Sequence, residues 1–164
     1  MYRSLQVAAV ILVAIAMALS LAHALELPGK LRLGRETYVV VQQIYYPGFT
    51  IGGVAEPLGI LVLLVLLGLG PYAGSRFWWT LVAVLSLATA HLIYWVVTHP
   101  VNSFWTKGLE MSGLGATFFG LFAPAAAEGS ADWAKLRDIW EYSHVARAAF
   151  AMLSLISLTA AVTT

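Results

Sequence analysis

Two short patterns in this chain carry reactive residue types at a spacing that lets them act together. His23-Ala-Leu-Glu26 and Glu141-Tyr-Ser-His144 are mirror images, each an imidazole and a carboxylate three positions apart. On an α-helix, residues i and i+3 share a face, so each pair points in one direction. Glu-x-x-His on facing helices is how helical bundles build carboxylate-bridged metal sites. Glu56 and His91 extend the candidate ligand set to His23, Glu26, Glu56, His91, Glu141 and His144. Imidazole plus carboxylate suits Fe, Mn or Zn, with Cu also open, and free coordination positions would admit oxygen chemistry.

The same residues support other readings. Without a metal they form a polar pocket in which His23, Glu26, His144 and Arg147 are the catalytic candidates, as acids, bases or an oxyanion partner. A structural reading is also open. Arg147 lies one turn beyond His144 and needs a carboxylate among Glu26, Glu56 and Glu141, because buried charges are paired or ligate metals. Haem, held by His91 with His23, His99 or His144, is a further option, and so is no cofactor at all. Trp95, Asn102, Trp140 and Tyr142 are the candidates for lining a substrate pocket.

The elements that must position these residues are membrane helices. Of the 164 residues, 60% are hydrophobic and 10% charged. Soluble domains carry about 25% charged residues, so the chain falls in the membrane class. A net charge of +1 without a basic tract argues against nucleic acid. The absence of cysteine excludes disulfides and thiolate metal sites.

Hydropathy and breakers predict an all-α membrane four-helix bundle in a single domain. The spans are expected over 5–25, 54–69, 77–97 and 133–162. The first apolar run is longer than a signal-peptide core and is expected to be retained, although Ala22-His23-Ala24 imitates a cleavage site. Pro28, Gly29 and Gly34 predict a break after it. A helix lying at the interface is expected over 35–46, with Tyr38, Tyr45, Tyr46 and Phe49 at headgroup level and Lys30, Arg32, Arg35 and Glu36 as interfacial charges. Thr98-His99-Pro100 is read as the end of the third span. A long connection over 101–131 follows, its part over 108–122 apolar enough to dip into the membrane. Ser130 or Asp132 is positioned to cap the last helix.

Alternation of spans collects the polar residues. The side opposite the N-terminus receives the end of the first span, the start of the second, the end of the third and the start of the fourth. The acidic residues of the chain all fall on that side or near it. Lys and Arg also crowd there, which on the positive-inside rule places it in the cytoplasm, whereas Arg3 ahead of the first span argues for a cytoplasmic N-terminus. A bacterial inner membrane is the expected location.

Residues from the first helix to the fourth carry a family resemblance. His23-Ala-Leu-Glu26-Leu-Pro-Gly-Lys30, Tyr38-Val-Val-Val-Gln42, Pro100-Val-Asn102 and Asp132-Trp133 through Trp140-Glu141-Tyr-Ser-His144-Val-Ala-Arg147 together resemble the anthrone oxygenase-like family (DUF1772). The resemblance implies a four-helix membrane bundle and an association with oxidation of anthrones to anthraquinones. It is more specific to membership than to an activity. The expected function is a membrane-embedded oxidoreductase, an oxygenase acting on a small hydrophobic or aromatic molecule that arrives from the lipid. The alternative is a non-enzymatic subunit or small-molecule binder, as a homo-oligomer or within a larger membrane complex. The lack of an inverted repeat argues against a transporter.

Overall fold

The computed structural model of the chain describes residues 2–46, 48–70, 72–106 and 132–164, with side chains for all of these except 103–106. Regular structure among the described residues is helical throughout. It comprises α1 (Tyr2–Lys30), α2 (Arg35–Gln43), α3 (Gly48–Gly53), α4 (Ala55–Leu69), α5 (Ser75–Ile93), a π-helical turn (Tyr94–Thr98), α6 (His99–Thr106) and α7 (Trp133–Thr163). Four stretches are long and apolar enough to cross a bilayer, Tyr2–Lys30, Gly48–Leu69, Ser75–Asn102 and Trp133–Thr163. By these helices the chain is a multi-pass membrane protein. α7 packs along α5 and α1, and α4 closes the bundle against the same two.

Prolines explain where the elements depart from expectation. Pro28 does not end the first helix, which continues to Lys30. A proline in the last turn forfeits only its own bond, to the carbonyl four residues back. Pro57 acts at the second span. Its ring excludes the carbonyl of Gly53 four residues back, and the helix breaks at Val54 between α3 and α4. The span therefore begins at Gly48 rather than Val54. Pro100 does not end the third span. The chain first widens into the π-turn, so the proline falls in the first turn of α6, where its missing N–H costs little.

Other boundaries also differ. α2 stops at Gln43, and residues 44–46 form turns in which Ile44, Tyr45 and Tyr46 donate to the carbonyls of Val41, Gln42 and Gln43. The connection expected from residue 101 begins after Thr106, since α6 is helical to that point. Residues 107–131, including the stretch expected to dip into the membrane, lie outside the described residues, as do Ser130 and the Pro47 of the expected turn. Gly74, with φ of +93°, turns the chain into α5. Asp132 caps α7 by accepting from the Ala134 N–H at 3.0 Å.

The interior has two apolar parts with a polar zone between them. Toward the end that holds the N-terminus, Ala9, Val13, Leu63, Ala83, Leu87 and Leu158 form one buried cluster. Lipid tails are as apolar as leucine, so membrane helices associate through close packing and polar contacts rather than hydrophobic burial. Small residues serve that purpose here. At Gly59 an added Cβ would come within 3.1 Å of the Leu87 side chain. Ser154 donates to the Ala83 carbonyl at 2.8 Å, joining α7 to α5. At the opposite end α2 sits over the bundle, with Tyr38 packed among Val101 and Trp140.

The absence of cysteine makes the topology directly testable. Single cysteines at Ser4, Gly74 and Thr164 should label from one side of a sealed vesicle with an impermeant maleimide, and cysteines at Gly34 and Asp132 from the other. Labelling of Gly34 and Gly74 from the same side would overturn the arrangement of spans.

Candidate functional site

The polar zone is built from residues of several helices. His23 comes from α1, Glu56 from the first turn of α4, His91 from α5, Asn102 from α6, and Trp140, His144 and Arg147 from one face of α7. They surround a cavity of about 460 Å³ whose wall is mainly apolar and aromatic, with Tyr45, Tyr46, Phe49, Tyr94 and Trp95 contributing. Exposed Ile51 and Val54 also line it, so it opens beside the helix break at Val54.

The two histidines of the mirrored motifs meet on this wall. The rings of His23 and His144 lie edge to face with centroids 4.4 Å apart. Tyr45, Phe49 and Trp140 pack around His23 at 4.5, 4.7 and 4.9 Å. His144 Nδ1 lies 2.9 Å from the Trp140 carbonyl oxygen, one turn back on α7. A carbonyl only accepts, so Nδ1 holds the proton and Nε2 carries the lone pair.

The carboxylates go elsewhere, because buried cations claim them. Arg147 donates to Glu56 Oε2 at 2.7 Å, both side chains being buried. The other oxygen of Glu56 faces His91 Nδ1 at 3.4 Å. His91 Nε2 accepts from the Trp95 indole N–H at 2.9 Å. Nε2 of His91 is thereby engaged, while Nδ1 lies near the Glu56 carboxylate.

A second cluster centres on Lys30. Expected as an interfacial charge, it is instead only 3% exposed. Its Nζ lies 2.9 Å from Glu26, 3.6 Å from Glu141 and 3.3 Å from His23 Nδ1. The rings of Tyr45 and Trp140 flank it at 4.5 and 4.9 Å, both within cation–π range. Tyr38 donates to Glu141 at 2.8 Å, and Tyr45 donates to Glu26. Burial, together with the neighbouring carboxylate, raises the pKa of both phenols well above the usual range, so both remain protonated donors.

The sequence-derived candidates are thus redistributed. His23, Glu56, His91 and His144 line the cavity with Arg147, Trp95, Asn102 and Trp140. Glu26 and Glu141 belong to the Lys30 cluster. Tyr142 lies outside the cavity, at 57% exposure. Trp140 and His144 stand one turn apart on one face of α7, and a residue midway between them must point away. Asn102 accepts from the Trp140 indole N–H at 2.7 Å, fixing α6 to α7. Lys30, Tyr38 and Tyr45 were not among the candidates. His23, Glu26 and Lys30 do fall on one helical face at i, i+3 and i+7, but that signal requires α1 to continue past Pro28 and Gly29.

Among the described residues no three His, Asp or Glu side chains are gathered to hold a metal ion. The six expected ligands do not converge on one point, since their carboxylates are drawn to Lys30 and Arg147. His23 and His144 are in edge contact, which leaves no room for a porphyrin between them. No family model, curated protein or solved structure matches the chain.

The Arg147–Glu56 pair yields a test by charge compensation. Removing one member of a buried pair typically costs about 3–5 kcal/mol, because the other is left uncompensated. Arg147→Leu should lower the unfolding midpoint in detergent strongly, and Arg147→Leu with Glu56→Gln should recover most of the loss. Equal losses in the single and double variants would show that the pair is not the source.

Proposed function

We propose that this chain is a membrane-embedded oxidoreductase in which the two histidines perform proton transfer on a small apolar, aromatic molecule held in the cavity. The observation that carries this reading is the contact between the His23 and His144 rings on the wall of an otherwise apolar chamber. An imidazole with a fixed tautomer and a free Nε2 is a general base, and positioned bases of this kind contribute about 10²- to 10⁴-fold to rate. Apolar and aromatic walls suit a ring system, and the exposed Ile51 and Val54 at the opening suit entry from lipid.

The reaction class comes from the proposed kinship with the anthrone oxygenase-like family. His144 Nε2 takes a proton from a methylene made acidic by conjugation to a ketone across an aromatic ring. The carbanion passes its electrons to dioxygen, and a C–O bond forms to give a hydroperoxide that takes up the first proton. The second C–H bond and the O–O bond then break together, leaving the carbonyl and releasing the distal oxygen as water. The sum is CH2 + O2 → C=O + H2O, with dioxygen as the oxidant. In this scheme Arg147, held by Glu56, sets positive potential beside the chamber where negative charge develops on substrate oxygen. Glu26 and Glu141 take no direct part.

The test uses full-length protein in lipid nanodiscs with anthrone as probe. Oxygen uptake and anthraquinone formation should both exceed the spontaneous rate. His144→Ala should reduce the catalysed rate by at least about 10²-fold, while anaerobic binding of anthrone, followed by quenching of tryptophan fluorescence, persists. Binding without any catalysed oxygen uptake in the wild type would favour a small-molecule binder over an enzyme.

A further inference from the structure

Lys30 has a place in this arrangement that the cavity alone does not explain. Its ammonium is among the buried charges of the described bundle, and it lies 3.3 Å from His23 Nδ1. We infer that Lys30 is a positioning residue that fixes the tautomer of His23, so that the two histidines face the cavity as a complementary donor and acceptor. This rests on the proposed acid–base role of the pair.

The argument begins with what each atom can do. An ammonium has three N–H donors and accepts nothing. Carboxylates on two sides, Glu26 at 2.9 Å and Glu141 at 3.6 Å, and two aromatic faces surround Lys30, which is the setting of a charged amine. One remaining N–H direction leads to His23 Nδ1 at 3.3 Å. A proton on that nitrogen would point at the ammonium, and the nearest alternative acceptor, Glu26 Oε2, lies 3.7 Å away, beyond hydrogen-bond reach. The lone pair of His23 therefore sits on Nδ1, and its proton sits on Nε2.

His144 has the opposite arrangement, since its Nδ1–H is committed to the Trp140 carbonyl. Side by side, the rings then offer one Nε2–H from His23 and one Nε2 lone pair from His144. The groups facing His23 are Lys30 and Glu26 on its own helix, Tyr45 from the turn after α2, and His144 from α7. Tyr45 is occupied in donating to Glu26 and does not compete for Nδ1. The pair can accept a proton from carbon at His144 and hydrogen-bond substrate oxygen from His23 in one encounter. Two rings with the same tautomer could not do both.

The tautomer can be read without any turnover. In protein labelled with ¹⁵N-histidine, protonated and unprotonated ring nitrogens resonate far apart, and loss of signals in His23→Gln assigns the residue. Wild-type His23 should show an unprotonated Nδ1 and a protonated Nε2. Lys30→Met should shift His23 toward the other tautomer. The double variant Lys30→Met with Glu26→Gln, which leaves one fewer uncompensated charge, should do the same if the single variant folds poorly. In the anthrone assay Lys30→Met should keep probe affinity while turnover falls by about tenfold or more. A wild-type His23 protonated at Nδ1, or a tautomer unchanged in both Lys30 variants, would overturn the inference. Absence of turnover in the wild type would instead count against the functional reading and leave the tautomer result standing.

Discussion

The ion pair between Arg147 and Glu56 is the contact on which the rest of the site depends. An arginine within a membrane span costs at least about 2.5 kcal/mol on insertion scales, unless it finds a partner or reaches the interface. Here it finds Glu56 across the bundle at 2.7 Å. That contact ties the start of α4 to the middle of α7 and places a carboxylate where His91 also reaches it. Around this tie the cavity takes its shape, with Tyr94 lying 5.0 Å from the guanidinium. Both members of the pair also line the cavity.

Lys30 plays the matching part nearer the end of the bundle. It gathers Glu26 from its own helix and Glu141 from α7, while Tyr38 and Tyr45 supply further donors from α2 and the turn behind it. Hydrogen bonds to ionised groups are roughly twice as strong as neutral ones. A set of them explains how a helix as short as α2 is held over the bundle. The carboxylates at first sight best suited to ligating a metal with His23 and His144 are thus engaged by Tyr38, Tyr45 and Lys30. His23 and His144 are left on the cavity wall without Glu26 or Glu141.

The irregular backbone lies beside the same chamber. The break at Val54 and the π-turn at Tyr94–Thr98 both flank the cavity, and both trace to a proline a few residues further on. Irregular membrane backbone is tolerated where it is buried in protein or lines a cavity, and π-turns are frequent at functional sites. Each irregularity here brings lining residues to the chamber, Val54 at the first and Tyr94 and Trp95 at the second. The regular, closely packed half of the bundle, with its alanines and Gly59, serves as the rigid base for this end.

The four apolar helices, and the gathering of the acidic residues toward one end among the described residues, were legible in the sequence, because both follow from run length and alternation of direction. The i, i+3 spacing also disclosed that His23 and His144 share faces with their carboxylates, and the need of Arg147 for a partner followed from charge alone. What the linear pattern left open was partner choice. Three carboxylates were eligible for Arg147, and only helix placement decides for Glu56. Lys30 was hidden because Pro28 and Gly29 look like a stop, and whether one lost hydrogen bond ends a helix depends on contacts made after it. Pro100 looks like a stop for the same reason, yet a π-turn can absorb a proline that would end a regular helix. Even the facing of Tyr142 lay within reach of periodicity, while the hydrogen bond of His91 to Trp95 did not. Distances between side chains on different helices, and the protons they assign, belong to the tertiary structure, because a membrane bundle is held by packing and pairing that no single segment encodes.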